Sequence, residues 1–520
     1  MGRRSSGVDT LSDALVSAHR RRGLLSWLLV LGLFLPPGSA GAFGWEDVVA
    51  RARELSQQAF YPPVAPAVPD WLGKITYDEW RTIRYRPDQA VWREQGLPFQ
   101  VQFFHPGLFY NRTVAVNLID DGRLKPVGFA PGQFDYGPNE FASRVPQDLG
   151  YAGFRLHGPI KSPGYLDEVI VFLGASYFRA VGRDQVFGLS ARALAIDTAA
   201  PWGEEFPFFR EFWIERPAPD ARDVTVFALL DSPGITGAYG FVVRPGVETL
   251  VDVHAVLSPR REIKKLGLAP LTSMFFHGEN TRRQFDDFRP EAHDSDGLAI
   301  RFASGEWLWR PLDNPESLAV SSFEADDPLG WGILQRDRSF SSYQDLETRA
   351  ERRPSAWVQP VGAWGKGRIE LVEIPTRSDT NDNVVAYWVP ARAVVPGNPI
   401  EVAYRMRWYG DSLDRPPLGR VVSTRRDSGV KEGAQRFVVD FAGGGLEEIS
   451  AHEIVHGALS MRPEEGVELL GQQVIKNPIT GGWRLTFQAR PKGRDVIDMR
   501  ARLELGGKAL SEIWAYPLVP

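Results

Sequence analysis

The chain has 520 residues, no cysteine, 16 tryptophans and a formal charge of −5. Without cysteine there is no disulfide framework, thiolate nucleophile, iron–sulfur cluster or cysteine-ligated zinc. A slightly acidic chain does not hold nucleic acid by neutralising phosphates, so no nucleic-acid partner is expected. With 43% hydrophobic and 24% charged residues, 51 glycines and 40 prolines, the composition is that of a folded, turn-rich protein of two or three domains that favours short strands.

The first predicted element is an address. His19-Arg20-Arg21-Arg22 precedes the apolar run 24–35, Pro36-Pro37-Gly38 breaks it, and Ala40-Gly41-Ala42 supplies small residues for cleavage. This is the pattern of a secretory signal peptide over residues 1–42, and Arg21-Arg22 fits a twin-arginine version loosely. The mature chain is expected to start near Phe43 and to be soluble, since no later run of about 18 apolar residues could span a bilayer. Export without cysteine suits a bacterial periplasm.

Residues 45–60 predict an amphipathic helix, with Val48, Val49, Ala52, Leu55 and Ala59 on one face. Beyond it, alternation predicts strands at 99–103, 113–118, 223–227, 250–256 and 368–374, bounded by Gly, Pro and Asp turns. Strands at this density predict an all-β fold with a large β-sandwich over 43–392. Val395-Pro396-Gly397-Asn398-Pro399 reads as part of a linker, 393–399. Strands at 400–408, 435–441, 483–487 and 499–505 then have the rhythm of an immunoglobulin-like sandwich over 400–520.

Two motifs match enzymes by letters alone. His452-Glu453-Ile454-Val455-His456 fits H-E-x-x-H, which binds zinc when both histidines share one helix face. The extended form would need Gly at 459 and His at 462, where the chain has Leu459 and Arg462; no metal and no cofactor are expected. Gly410-Asp411-Ser412-Leu413 resembles an esterase nucleophile block, but no Asp-x-x-His follows it.

Acids and indoles gather between about 268 and 388. Residues 286–297 hold five acids, namely Asp286, Asp287, Glu291, Asp294 and Asp296, and Gly305-Glu306-Trp307-Leu308-Trp309 puts two indoles on one strand face. Ser378-Asp379-Thr380-Asn381-Asp382-Asn383 is a polar loop feeding a strand. Loop carboxylates beside indoles suit a sugar-binding cleft, because flat rings stack on pyranose faces and acids bond hydroxyls. Two such acids flanking a glycosidic bond would make a hydrolase. Solvated acidic turns and core tryptophans would give the same letters.

Several blocks occur together and in order: Phe172-Leu173-Gly174-Ala175-Ser176-Tyr177-Phe178-Arg179-Ala180, Gly188-Leu189-Ser190-Ala191-Arg192, and Phe209-Arg210-Glu211-Phe212-Trp213-Ile214-Glu215. They are followed by Ala269-Pro270-Leu271-Thr272-Ser273-Met274-Phe275, His293-Asp294-Ser295-Asp296-Gly297, Arg353-Pro354-Ser355-Ala356-Trp357 and Thr380-Asn381-Asp382-Asn383. Through them the mature chain resembles the periplasmic glucan biosynthesis proteins OpgG and OpgD; the twin-arginine-like signal tilts slightly towards OpgD. The resemblance implies a galactose-mutarotase-like sandwich followed by an immunoglobulin-like domain, and a role in making periplasmic glucans with a β-1,2-linked backbone. It also implies an inverting endo-β-1,2-glucanase whose acid is Asp382, in the T-N-D-N loop, and whose base is Asp294. Asp296, His293, Arg353, Asn381, Trp307, Trp309 and Trp357 are then expected to bind substrate, and Asp382 to be buried against aromatics so that it keeps its proton. Where relatives commonly carry tyrosine ahead of the R-P-S block, this chain has Ala350. The rival reading is a glucan-binding factor with little turnover that assists a membrane glucan synthase. The sequence leaves the oligomeric state open.

Overall fold

A computed structural model describes residues 42–62, 68–162, 164–281, 286–411 and 416–520. The signal peptide expected over 1–42 therefore lies outside the described residues except for Ala42, as do Ser412 and Leu413 of the esterase-like block. Among the described residues, no helix is long and apolar enough to cross a membrane.

The protein is mostly β. A ten-stranded sheet runs in the order Gln100–Phe104, Gly153–Ser162, Tyr165–Leu173, Tyr177–Ala180, Ser190–Arg192, Leu266–Ser273, Val384–Pro390, Gly367–Glu373, Ala319–Glu324, with Leu194–Ile196 also paired to Leu266–Ser273. A second sheet of fifteen strands has at its centre Gly297–Arg301, Gly330–Leu334, Ser355–Val361, Ile400–Tyr409, Thr249–Pro259 and Ile235–Arg244, each antiparallel to the next. The strand Thr249–Pro259 alternates buried and part-buried positions along its whole length, the period-2 signature legible in its sequence. The strand Leu266–Ser273 is buried at every position, as expected where both faces are covered.

The two sheets share one core. Phe154, Phe172 and Phe178 of the first meet Phe212 and Phe241 of the second, with ring centroids 4.9 Å (Phe154–Phe212), 5.5 Å (Phe172–Phe212) and 5.3 Å (Phe178–Phe241) apart. The helix Trp45–Ser56 is capped by the Asp47 carboxylate, which accepts from Gly44 N at 2.8 Å. It packs Val48 and Ala52 on Trp213 and Phe227 of the second sheet. It ends at Ser56, short of the predicted residue 60.

Residues 393–399 do not separate two cores. They carry the chain from Val384–Pro390 in the first sheet to Ile400–Tyr409 in the middle of the second, and Val394, buried, bridges Ile263. Ile400, Val402, Tyr404, Met406 and Trp408 belong to the core shared by the two large sheets. The sequence misleads here because an alternating strand after a Pro-Gly turn reads alike whether it opens a new domain or continues an old sheet. A second core, with Phe437, Phe487, Trp514 and Tyr516, lies between a four-stranded sheet (Arg420–Ser428, Gln435–Ala442, Trp483–Pro491, Val467–Lys476) and the last strands of the fifteen-stranded one. There Trp307–Pro311 runs parallel to Ile513–Leu518, so one sheet serves both cores.

The histidines of the H-E-x-x-H match share no helix: His452 is exposed in a turn, and His456 opens the strand His456–Arg462.

Candidate active site

The Asp382 loop is fixed by its neighbour. Asn383 is buried; its amide oxygen accepts from Phe275 N at 2.8 Å, its amide nitrogen donates to Phe275 O and Ile374 O at 3.0 Å each, and its backbone N donates to Ser273 O. At the other end of the loop, Arg289 donates to Asp379 at 2.8 Å. Asp382 itself keeps a third of its side chain exposed, with Arg179 Nη2 3.9 Å from its Oδ2. The burial expected of an acid is therefore not found, and its closest charged partner is a guanidinium.

Asp294 stands on the other element. Ala292–His293 pairs with Phe275–His277, and Asp294 N donates to Met274 O at 2.8 Å. Its carboxylate is buried and accepts a hydrogen bond from Arg353 Nη1. Burial pushes its pKa up and Arg353 opposes this; the Asp382 carboxylate pushes it further up, and the result is about 6. The two acids from opposite elements thus feel each other.

His293 is held between acceptors. Gln335 Nε2 faces the Ala350 carbonyl, which can only accept, and the Tyr343 hydroxyl at 2.7 Å. Its Oε1 therefore faces His293 Nδ1, 3.2 Å away, and that nitrogen carries the hydrogen. Nε2 lies 2.9 Å from Glu291 and 3.6 Å from Asp296. Burial pushes the imidazole pKa down, but the Glu291 hydrogen bond and the surrounding carboxylates outweigh it and the net shift is upward. Glu291, His293 and Asp296 are also the residues whose metal-type ligand atoms converge, within 4.8 Å. In His293 the Nδ1 hydrogen is given to Gln335, and Nε2 is the ring nitrogen that faces the two carboxylates.

Between the two elements lies a cavity of about 610 Å³, walled by Ala292, His293, Arg353, Asp379 and Thr380, with Tyr77, Phe109 and Tyr343 as its aromatic residues. Ala350 forms part of the same wall.

Residues 43–518 match the family model described as "Periplasmic glucan biosynthesis protein, MdoG". The chain belongs to this family. It is 48% identical over 493 residues to glucans biosynthesis protein G of Ralstonia nicotianae, covering 93% of this chain and 97% of the relative. It is 43% identical over 490 residues to the Pseudomonas aeruginosa protein of the same name, covering 92% and 93%. It is also 43% identical over 479 residues to glucans biosynthesis protein G 1 of Shewanella oneidensis, covering 92% and 87%. These relatives carry the G name, against the slight tilt of the signal sequence. As an MdoG-family member the protein is periplasmic and takes part in glucan biosynthesis.

Within this MdoG-family fold, four of the expected residues come together: Asp294, Asp382, Arg353 and His293. Asp296 reaches the group through one oxygen, Oδ1, 3.6 Å from His293 Nε2, and its other oxygen is used for structure. That second oxygen accepts from Asp337 N at 2.7 Å and from Arg336 N, fixing backbone beyond Leu334. Asn381 is exposed beside Asp382. The three tryptophans depart from expectation. Trp307 stacks on Trp357 at 5.3 Å, Trp357 and Trp309 are buried, and all three pack with the second core. Arg336 covers Trp309 at 3.6 Å. Alternation correctly put Trp307 and Trp309 on one face, but that face turns to the seam between the cores. Arg179, Asn383, Gln335 and Tyr343 were missed. Arg179 and Asn383 lie inside blocks that carry the resemblance; Gln335 and Tyr343 had no local signal.

Proposed function

We propose that this MdoG-family protein is an inverting endo-β-1,2-glucanase that trims or shapes the glucan backbone, with Asp382 as acid and Asp294 as base. The observation that carries the reading is the electrostatic coupling of two carboxyl groups next to one cavity, Asp294 beside His293 and Arg353 of its wall and Asp382 two residues beyond Thr380, the first buried with a pKa near 6 and the second a third exposed. A base of that pKa is ionised at neutral pH yet close enough to it to take a proton from water. Arg353 holds it in place. A sugar seated over Asp382 would replace the water around that carboxyl and favour its neutral form, as an acid must have. Inversion needs room for a water opposite the leaving group, and the cavity provides space between the elements. The galactose-mutarotase and immunoglobulin-like fold types implied by the resemblance belong to the same proposal.

One observation favours the rival, a glucan-binding factor that docks to a membrane synthase: Asp382 is a third exposed with Arg179 3.9 Å away, instead of buried against aromatics. Incubation of mature protein with linear β-1,2-glucan decides between them. Shorter products, with the opposite anomer formed first and none from Asp382→Asn or Asp294→Asn, support the hydrolase. Tight binding with no product from the wild type supports the rival.

A further inference from the structure

We infer that the cleft continues past Arg179 into a separate aromatic subsite, built from Phe109, Phe206 and Arg112, which takes a pyranose of the bound glucan away from the bond that is cut. The inference rests on the reading of the site as a glucan cleft.

A second cavity, of about 250 Å³, is lined by Phe109, Tyr110, Arg112, Gly174, Phe206 and Phe208 among others. Phe109 lines the main cavity too, so the two share a wall. Arg179 lies 3.9 Å from Asp382 and is near enough to Tyr110, in the wall of the second cavity, to oppose the upward pull of burial on its phenol. Phe109 and Phe206 are 82% and 51% exposed, an arrangement that hydrophobic burial would disfavour unless something covers them. Phe206 is a fixed platform rather than a loose ring. Arg192 lies 5.7 Å from its centroid and is itself buried, donating to Glu204 at 2.7 Å and to Thr272 at 3.1 Å. Arg112 stacks on Phe208 at 4.6 Å and makes no hydrogen bond or ion pair with the described residues, so its N–H groups are free to donate. Gly174, at φ +80°, keeps the floor bare: a side chain there would start 3.4 Å from the Tyr110 ring. Ring faces beside free guanidinium donors match a sugar, which has an apolar face and a hydroxyl rim. A chain gripped here as well as at the carboxylates presents an internal bond for cleavage.

The test is calorimetric binding of linear β-1,2-glucan to the mature chain carrying Asp382→Asn, so that binding is read without turnover. Adding Phe206→Ala or Arg112→Ala is expected to weaken binding about tenfold, and Phe206→Trp, which keeps a flat ring, to restore it. Equal affinity with and without Phe206, or failure of Phe206→Trp to restore binding lost in Phe206→Ala, overturns the subsite alone. No binding even with Phe206 and Arg112 intact overturns the cleft reading and the subsite together.

Discussion

Arg353 donates through Nη1 to Oδ1 of Asp294, with only 13% and 11% of the two side chains exposed. A buried carboxylate deprived of its cation is left uncompensated, which is far worse than losing a surface pair. Arg353→Met should therefore raise the Asp294 pKa above 6 and lower hydrolysis at pH 7 by about a hundredfold or more, in the range seen when a group that orients a catalytic residue is lost. Gly188 packs against the arginine stem: a Cβ there would lie 3.0 Å from Arg353 Cβ and Cγ. Gly188→Ala should shift the guanidinium slightly and reduce kcat several-fold with little change in Tm. Wild-type rates in Arg353→Met would remove Arg353 from the site.

The pKa of Asp294 gives two pH dependences of opposite sense. As a base it works ionised, so kcat/KM should fall about tenfold per unit below pH 6. Its folded value, about 6, is above its ordinary value of 3.8, so the folded state favours the protonated form. The associated stability is complete below about pH 4 and lost as pH rises through 6, on the order of 2–3 kcal/mol in all. Asp294→Asn carries no such penalty and should melt higher than wild type at pH 7.5 while being inactive. A flat kcat/KM between pH 5 and 7 would dissociate Asp294 from catalysis.

Asn383 makes three hydrogen bonds through its amide, all to the backbone of Phe275 and Ile374. Asn383→Ala leaves those groups buried and unpaired, at roughly 1–3 kcal/mol, and frees the segment that carries Asp382. Lower kcat with a nearly unchanged KM, together with faster amide exchange across 374–383, is the expected result. Asn383→Asp should be no rescue, because a carboxylate cannot donate to the two carbonyls.

The sequence was most informative where physics is local. Alternation located the strands at 250–256, 368–374 and 435–441 to within a few residues, and the H-D-S-D-G and T-N-D-N blocks held both central acids. It was least informative where the answer depends on which sheet a strand joins. Ile400–Tyr409 has the same alternation in either domain, and only its pairing with Thr249–Pro259 and Ser355–Val361 decides. The same limit applies to the indoles, since a tryptophan on a strand face gives no sign of whether that face meets sugar or a second core. Gln335 matters through contacts with His293, Tyr343 and Ala350, eight to forty-two residues away in sequence, and no spacing rule reaches that far.

Trp357 provides a direct check on the indoles. It stacks on Trp307 and lies over Gly330 and Gly332, where a Cβ would come within 2.5 Å and 2.9 Å of its ring. Trp357→Ala should open a cavity and cost about 3–5 kcal/mol, with glucan affinity unchanged in the protein that remains folded. Unchanged Tm with weakened binding would show instead that the ring faces the ligand.

Glu279 governs a second pH effect, at the seam. It accepts from Thr424 N at 2.7 Å and pairs with Arg425 at 3.0 Å, joining the end of the Phe275–His277 segment to the four-stranded sheet. Burial pushes its pKa up to about 7 against the pull of Arg425. A raised acid favours the folded state when protonated, so this stability is complete below about pH 4.5 and lost as pH rises through 7. Glu279→Gln keeps an oxygen to accept from Thr424 and has no proton to lose. Its Tm should match wild type near pH 4.5 and exceed it at pH 8 by the equivalent of roughly 3 kcal/mol. Glu373, also buried and raised to about 7 beside Arg310, keeps part of the slope in that variant. Only a smaller slope is therefore expected, and parallel melting curves for the two proteins would take Glu279 out of the account.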